Sequence, residues 1–317
     1  MTTTTSERGA AAEAVAPEPS PAARRFVDEL VRVHGSLTYR GLPDAVIGEP
    51  LCRLEGYGDG LVTLCVRQSQ LPERYLRGVL GFRLAQFLMT GLMDVELAHR
   101  RGLSHEPPVE PTGPETIHTV TLTETGKIVG YLGFVGSPDP EPLPLDAPER
   151  GKFPVEVAHH VELLSRYASP ERDTHHVYEI KRFIRDRGME RGMQRDRVPW
   201  HLILAVGRMA VATGIEVILG DSGERGALRH LRLVGIDLEV VEDTMPSLPR
   251  TELMWPSYLV GRDKLAKPFV GPVPGVEPYM DAIEMGLVAD KDEHWQDKAL
   301  ARLVELHTKA GTLEALA

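Results

Sequence analysis

The chain has 317 residues and a formal net charge of −10, because 46 acidic residues outnumber 36 basic ones. This acidic balance argues against a nucleic-acid-binding protein, which usually carries a basic surface. No apolar run approaches the roughly 18 residues that a membrane-spanning helix requires. Only two cysteines occur, Cys52 and Cys65, which predicts a reducing compartment and no disulfide framework. We therefore expect a cytoplasmic protein with neither a membrane nor a nucleic-acid partner.

The amino-terminal third predicts a tail followed by helices and one hairpin. Residues 1–21 are rich in Thr, Ala, Pro and Glu, which predicts a disordered tail without the apolar core of a signal peptide. Apolar residues at helical spacing predict a helix at 22–33. The alternating segment 50–68, with its Gly-rich centre, predicts a β-hairpin in which the two cysteines face one another. Residues 72–102 form a long amphipathic stretch that contains Gly78, Gly81 and Gly91, which predicts a helical region of one helix or of two helices with a break.

From residue 116 onward, predicted strands and helices alternate, as in a layered α/β fold. The predicted elements are, in chain order, two strands at 116–136, a helix at 153–167, a strand at 176–185, a helix ending at Gly214, a strand at 215–220, a helix at 221–235, strands at 236–243 and 251–261, and a helix near 295–306. We therefore predict a mixed central sheet flanked by helices, with an added amino-terminal helical and hairpin region.

This pattern divides the chain into four segments. The predicted segments are a disordered tail at 1–21, a helical and hairpin region at 22–115, a core at 116–265, and a carboxyl-terminal extension with a helix at 266–317. The Pro-rich stretches before 116 and after 136 indicate long loops at the borders of the core elements.

The segment 176–188, HVYEIKRFIRDRG, combines apolar residues typical of a strand with a dense run of charges. Such charges are unusual on a central strand, unless the strand lines a cleft. In a regular strand, residues three positions apart point to opposite faces, so Glu179 and Arg182 would not share a pocket. A one-residue bulge between them would bring both side chains to one face. The sequence therefore predicts an irregular strand beside a cleft.

Two motifs in this region resemble the GCN5-related N-acetyltransferase superfamily, in particular its acyl-homoserine-lactone synthase and N-acyl amino acid synthase branch. The first is YEIKRF, in which Tyr178 precedes Glu179, Arg182 and Phe183 in the pattern Glu-x-x-Arg-Phe. The second is the helix–strand–helix–strand run at 210–241, which carries these residues at similar positions: Gly214, Asp221, Arg225, Leu228 and Gly235. The resemblance covers roughly residues 116–260 and implies a GCN5-related fold.

The resemblance implies an acyltransferase. Its donor would be a coenzyme A or acyl-carrier-protein thioester, its acceptor the amine of a small, amino-acid-like molecule, and no metal would be needed. Glu179 would accept the proton of the amine, directly or through a water, and Arg182 would orient the acceptor's carboxylate or pair with Glu179. Ordinary ion pairs of Glu179 and Arg182 across a sheet edge are the alternative interpretation. The predicted substrate-binding residues are Tyr178, Phe183, His176 and Trp200.

The loop after the predicted strand, RDRGMERGMQRDR, is the expected place for the phosphates of the donor. The residues predicted to bind them are Arg185, Arg187, Gly188, Arg191 and Gly192, together with the start of the following helix. The spacing of the two glycines departs from the Arg/Gln-x-x-Gly-x-Gly/Ala loop of many members of the superfamily. A solvated charged loop is the alternative interpretation. The arginines between positions 182 and 197 would form a basic patch suited to an acidic carrier protein.

Two other functions are open. Glu96 with His99, and Glu156 with His159, form Glu-x-x-His units, which occur in di-iron carboxylate proteins when paired helices present them. This hypothesis predicts a metal-dependent enzyme, although the strands predicted between the units differ from an all-helical bundle. The second alternative is a non-catalytic protein that keeps the acyltransferase fold and binds a metabolite or a partner protein.

Overall fold

The structure, a computed structural model, describes residues 18–108, 112–223, 226–258, 266–288 and 295–313. Residues 1–17 of the predicted tail, and Arg225 of the second motif, lie outside the described residues. The helices are α1 (Pro21–Ser36), α2 (Leu42–Ala45), α3 (Glu73–Met89), α4 (Val95–Arg100), α5 (Pro154–His159), α6 (Met193–Thr213), α7 (Ala227–Leu233), α8 (Glu277–Val288) and α9 (Trp295–Ala310). The strands are β1 (Cys52–Leu54), β2 (Leu61–Arg67), β3 (Ile117–Thr123), β4 (Ile128–Gly136), β5 (Val177–Arg185), β6 (Val217–Ser222), β7 (Glu239–Val240) and β8 (Lys267–Pro272).

The described strands form one 8-stranded sheet in the order β1-β2-β3-β4-β5-β6-β8-β7. β5 and β6 are parallel, with α6 as the crossover between them, and the other neighbours are antiparallel. The structure confirms the predicted fold class, a mixed central sheet flanked by helices. Strands from three of the four predicted segments join this sheet, and the division into segments stays a prediction.

Helices cover both faces of the sheet, which explains why its central strands are apolar on both sides. α6 packs on one face, where Leu202 and Ile203 join a core cluster with Leu132 of β4. α3 packs on the opposite face, where Val79 joins a second cluster with Tyr131 of β4. Each fully buried Leu or Ile side chain contributes roughly 2 kcal/mol by its removal from water. The two helices thereby fix the plane of β4 and β5, which carry the predicted site.

Most predicted elements are present, and three differ. The helix predicted at 221–235 begins only at Ala227, because Asp221 and Ser222 belong to β6. The helix predicted at 153–167 ends at His159, because His160 adopts the left-handed conformation (φ 54°) and terminates it. The strand predicted at 251–261 is not formed in its described part, which holds a turn and the short 3₁₀ helix Trp255–Tyr258. The sequence predicts this segment as the partner of the strand at 236–243, but β8 is the strand that pairs with β7.

The amino-terminal helices pack together at one side of the sheet. α1 begins at a Ser20 cap, whose hydroxyl accepts a hydrogen bond from the Ala23 amide at 3.2 Å. α4 begins at Asp94, whose carboxylate accepts from the Leu97 amide at 2.8 Å. Within the described ranges, no helix is long and apolar enough to cross a membrane.

Candidate active site

The two parallel strands of the sheet separate part-way along their length. β5 pairs with β6 only over Val177–Ile180, opposite Val217–Gly220. Beyond these residues β5 pairs with β4 and β6 pairs with β8, and the described part of the chain shows no further pairing between β5 and β6. A cavity of about 690 Å³ opens at the split, lined by residues 180–183 of β5 and by 221–223 at the end of β6. Beyond Ile180, β5 has no strand partner on this side among the described residues, so this edge of the strand is open toward the cavity.

A bulge lies in β5 at the point where the strands separate. Lys181 pairs with Gly133 and Ile184 pairs with Tyr131, so two residues of β5 stand opposite the single residue between them on β4. The first of the two, Arg182, has φ 63°, a conformation that costs a non-glycine residue roughly 1 kcal/mol. The bulge turns both Lys181 and Arg182 into the cavity. The irregularity predicted from the sequence is confirmed, and it falls on Arg182 itself.

Arg182 binds a carboxylate that sequence reasoning did not connect with it. Its Nη2 and Nε atoms donate to Oε1 of Glu106, at 3.1 and 3.3 Å. Arg83 of α3 lies on the other side of this carboxylate, with Nε 2.6 Å from Oε2. Burial favours the neutral acid, but the two guanidinium groups outweigh it and lower the pKa of Glu106. The cluster therefore carries two positive charges and one negative charge at the cavity wall, a net charge that favours an anionic group in the cavity.

A buried chain of hydrogen bonds extends this cluster to β3. Arg83 Nη1 donates to Tyr131 Oη at 3.1 Å, and Tyr131 Oη lies 2.9 Å from His118 Nδ1. The tyrosine therefore donates to Nδ1, which leaves the proton of the neutral imidazole on Nε2, 3.4 Å from Gln68 Oε1. Burial, helped by the charge of Arg83, lowers the pKa of His118 to about 3. His118 is thus a neutral residue that holds Tyr131 in place.

Glu179 points to the same face as Arg182 but has partners of its own. The residue is completely buried, and its Oε2 accepts from the Val155 amide of α5 at 3.1 Å. Its Oε1 forms an ion pair with Lys181, which stands between Glu179 and the cavity. Burial raises the pKa of Glu179, and Lys181 opposes the rise only in part. A carboxylate with a raised pKa is better suited to accept and return a proton near neutral pH.

A second polar group faces the split from the end of β6. Tyr258 donates to Oδ2 of Asp221 at 2.6 Å, and His159 Nε2 lies 3.4 Å from the same oxygen. Burial favours the neutral acid. The hydrogen bond from His159, the positive charge of Lys181 and the hydrogen bond from Tyr258 together outweigh burial and lower the pKa of Asp221 to about 2. Sequence reasoning singled out Asp221 and His159 for other reasons and missed their contact. Tyr258 carried no local signal, because it reaches the site from a distant segment.

That segment, residues 244–258, covers one side of the cavity and joins the amino-terminal helices to the core; we call it the covering segment. Its Thr244 hydroxyl lies 2.8 Å from Nδ1 of His159. At its other end, Trp255 Nε1 donates to Asp94 Oδ2 at 2.5 Å, at the start of α4. Apolar side chains from this segment and from α3 give the cavity a mixed wall. They include Leu80, Phe87, Leu248, Leu253 and Met254.

The predicted substrate-binding residues are divided by the sheet. Phe183 lines the cavity, and its ring lies 5.1 Å from that of His230. Tyr178 points to the opposite face and packs edge-on against Phe134, with centroids 6.4 Å apart. His176 precedes β5, with Nδ1 3.1 Å from Asp173 Oδ1. Trp200 of α6 packs against the core cluster beneath β4 and β5. Of the four, Phe183 alone is among the described residues that line the cavity.

The residues predicted to bind phosphates follow the bulge and lead into α6. Arg187 and Arg191 are exposed, as are Gly188 and Gly192. The Gly188 amide donates to Asp186 Oδ1 at 2.9 Å, which shapes the turn. Arg185 is half-buried at the end of β5 and lies close enough to His230 to lower its pKa, although burial is the larger cause. None of the three arginines has a carboxylate partner among the described residues.

The two Glu-x-x-His units do not come together. Glu156 is completely buried, and both its oxygens accept from Arg150 at 2.9 Å. Glu96 lies on α4 and accepts from the backbone at the start of α1. In the part of the chain that the structure describes, no group of three or more His, Cys, Asp or Glu residues could hold a metal ion.

A further cavity of about 640 Å³ lies between α1 and α3 and is mainly apolar. It does not reach the split between β5 and β6, and its lining includes His34, Tyr39 and Arg74. The cavity at the split holds the buried carboxylates and the bulge, and we take it as the candidate active site.

No protein-family model matches the sequence, and no curated protein matches it. Several solved structures are similar to it. The chain shares 11% identity with the AHL synthase LasI, at a TM-score of 0.44, over 69% of this chain and 93% of that one. It shares 15% identity with TofI in an apo form, at a TM-score of 0.39, over 72% of this chain and 95% of that one. It shares 14% identity with MesI, a CoA-dependent acyl-homoserine lactone synthase, at a TM-score of 0.33, over 58% and 74% of the two chains. LasI and MesI are thus synthases of the branch that the sequence motifs resemble.

Proposed function

We propose that the protein is an acyltransferase that moves an acyl group from a thioester donor to the amine of a small acceptor that bears a carboxylate. The observation that carries this proposal is the split between β5 and β6, with the bulge at Arg182 and buried carboxylates beside it. The donor would be coenzyme A or an acyl carrier protein, and the activity requires no metal in this scheme.

The acceptor side of the cavity is the positive cluster around Arg182. The acceptor's carboxylate would lie against Arg182 and Arg83, whose two charges Glu106 only half neutralises. This arrangement favours an amino-acid-like acceptor over a neutral amine. It also holds the acceptor near the exposed edge of β5, where the reaction would take place.

The chemical step needs a base and an oxyanion donor. The amine nitrogen attacks the thioester carbonyl carbon, the C–S bond then breaks, and the thiol leaves with a proton. Glu179 would take the proton of the amine through a water, since Lys181 stands between its carboxylate and the cavity. The unpaired peptide N–H groups of β5 beyond Ile180 would stabilise the oxyanion of the tetrahedral intermediate.

The donor would enter from the α6 side of the split. Arg185, Arg187 and Arg191 would meet its phosphates, and their lack of described carboxylate partners supports this role. The apolar wall formed by α3 and the covering segment would take the acyl chain, with Phe183 at its entrance. An acidic carrier protein would bind to the same arginines at the surface.

The test is mass spectrometry of products formed from a panel of acyl thioesters and amines, each amine supplied with and without its carboxylate. We expect N-acylated product, formed preferentially from acceptors that keep the carboxylate. Glu179→Gln should lower kcat by about 100-fold or more, because the variant has no base. Arg182→Gln should raise KM for acceptors that bear a carboxylate and leave KM unchanged for amines that lack one.

The matched control is Glu305→Gln, which alters an exposed carboxylate on α9 and should leave the rates unchanged. Full activity of both site variants would refute the roles assigned to them. Binding of a thioester without turnover of any amine would favour the non-catalytic alternative.

A further inference from the structure

The two cysteines of the chain lie directly opposite one another at the edge of the sheet. Cys52 of β1 pairs in register with Cys65 of β2. Paired residues share a face, and both side chains pack into the cluster beneath α6. Neither lines the cavity at the split, so this pair is separate from the candidate active site.

The two thiols have unequal surroundings. Cys65 is completely buried, with Sγ 3.1 Å from Thr119 Oγ1 and 3.5 Å from the Ala205 carbonyl oxygen. Burial raises the pKa of the Cys65 thiol well above its usual range. Cys52 is only half-buried, and its hydrogen bond with Cys65, aided by the charge of Arg208, lowers its pKa. Cys52 is therefore the more accessible and more nucleophilic of the two thiols.

We propose that Cys52 and Cys65 are a modification site, at which a peroxide converts the free dithiol into a reversible intrachain disulfide. Directly opposed residues of an antiparallel pair have Cα atoms about 4.5–5.5 Å apart, which is within the range that a disulfide spans. The bond therefore forms without a change of strand register. A dithiol reductant reopens the bond by thiol–disulfide exchange at the half-buried Cys52 sulfur.

The reaction balances in two steps. The Cys52 thiolate attacks one peroxide oxygen, the O–O bond breaks, and the products are a Cys52 sulfenic acid and one water after protonation. The Cys65 sulfur then attacks the Cys52 sulfur, the S–O bond breaks, and a second water leaves with the Cys65 proton. The two thiols lose two electrons, which the peroxide accepts.

The disulfide has a structural consequence, because it closes the hairpin that holds Asp59. Asp59 Oδ2 lies 2.9 Å from His201 Nε2 and 3.3 Å from Arg197 Nη1, both on α6. A closed hairpin fixes this contact between the hairpin loop and α6. Because the disulfide restricts the unfolded chain, the melting temperature of the oxidised protein should be roughly 5 °C higher than that of the reduced protein.

The test treats the reduced full-length protein with hydrogen peroxide and follows its intact mass, its free thiols after denaturation, and its peptide map. We expect a loss of two hydrogen atoms in mass, no remaining free thiols, and a peptide that joins the two cysteines. Dithiothreitol should restore both thiols and the original melting temperature. Gain of oxygen atoms at Cys52 without the joined peptide would overturn the proposal, as would covalent dimers.

Two variants assign the roles. Cys65→Ala should stop at oxygen addition on Cys52, and Cys52→Ala should react at least ten times more slowly than the wild-type protein, because Cys65 is buried. Equal rates for the two variants would refute the assignment of Cys52 as the attacking thiol. The peptide map of the wild-type protein decides the disulfide itself, even if a variant fails to fold. The readouts do not involve acyl transfer, so their outcome is independent of the proposed function.

Discussion

The substitution Glu106→Gln tests the charged cluster at the cavity wall. It keeps the shape of the side chain but leaves the charges of Arg83 and Arg182 facing one another without a carboxylate. Glu106 is only 5% exposed, and its oxygens lie 2.6 Å from Arg83 Nε and 3.1 Å from Arg182 Nη2. Removal of one partner from a buried ion pair typically costs about 3–5 kcal/mol. Because Arg182 is partly exposed, we expect Glu106→Gln to lower the free energy of unfolding by about 3 kcal/mol.

Urea denaturation at neutral pH, followed by circular dichroism, measures this loss in the free energy of unfolding. The double variant Glu106→Gln/Arg182→Gln should regain about 1 kcal/mol or more, because one of the two unbalanced charges is removed. Glu305→Gln on α9 is the exposed control and should cost far less than Glu106→Gln, because its two ion pairs, with Arg302 and Lys309, lie at the surface, where solvent screens them. If Glu106→Gln costs no more than this control, the buried cluster does not exist as described. If the double variant is less stable than the single one, charge repulsion is not the cause.

Three further predictions follow from the surroundings of single residues. The rate of acyl transfer should fall as pH is lowered through a value above 4.5, because burial raises the pKa of Glu179 from that figure and the protonated acid cannot act as a base; a rate profile that is flat from pH 4 to 8 would contradict this. The folded protein lowers the pKa of His118 to about 3, against 6.5 in the unfolded chain, so at mildly acidic pH only the unfolded chain gains a proton. From this residue alone, the free energy of unfolding at pH 5 should therefore be about 2 kcal/mol lower than at pH 7. Unfolding curves of His118→Gln at pH 5 and pH 7 should therefore show a pH dependence of stability that is smaller by about this amount. Gly235→Ala should cost about 1–3 kcal/mol, because its φ is +77° and the new Cβ would lie 2.3 Å from the Tyr279 ring; the matched control Gly91→Ala, with φ +70° and open space around it, should cost less, and equal losses would show that the ring contact is unimportant.

The sequence by itself determined the local features of the site. The period of apolar residues predicted β5, and its charges predicted that the strand lines a cleft. The spacing of Glu179 and Arg182 required a bulge, because side chains alternate along a regular strand. The structure contains that bulge at Arg182. These features depend on neighbouring residues and on covalent geometry, so they can be predicted without knowledge of the rest of the chain.

Only the tertiary structure decided which side chains meet. Arg182 pairs with Glu106, 76 positions earlier, and Tyr258 reaches Asp221 across 37 positions. The strand that pairs with β7 is β8, although the local pattern favoured a strand at 251–261, whose described part belongs to the covering segment. A local pattern specifies how strongly a residue favours burial or extension, but many distant partners satisfy the same preference. The choice among them depends on how both faces of the sheet are covered, and this is a property of the whole packed chain.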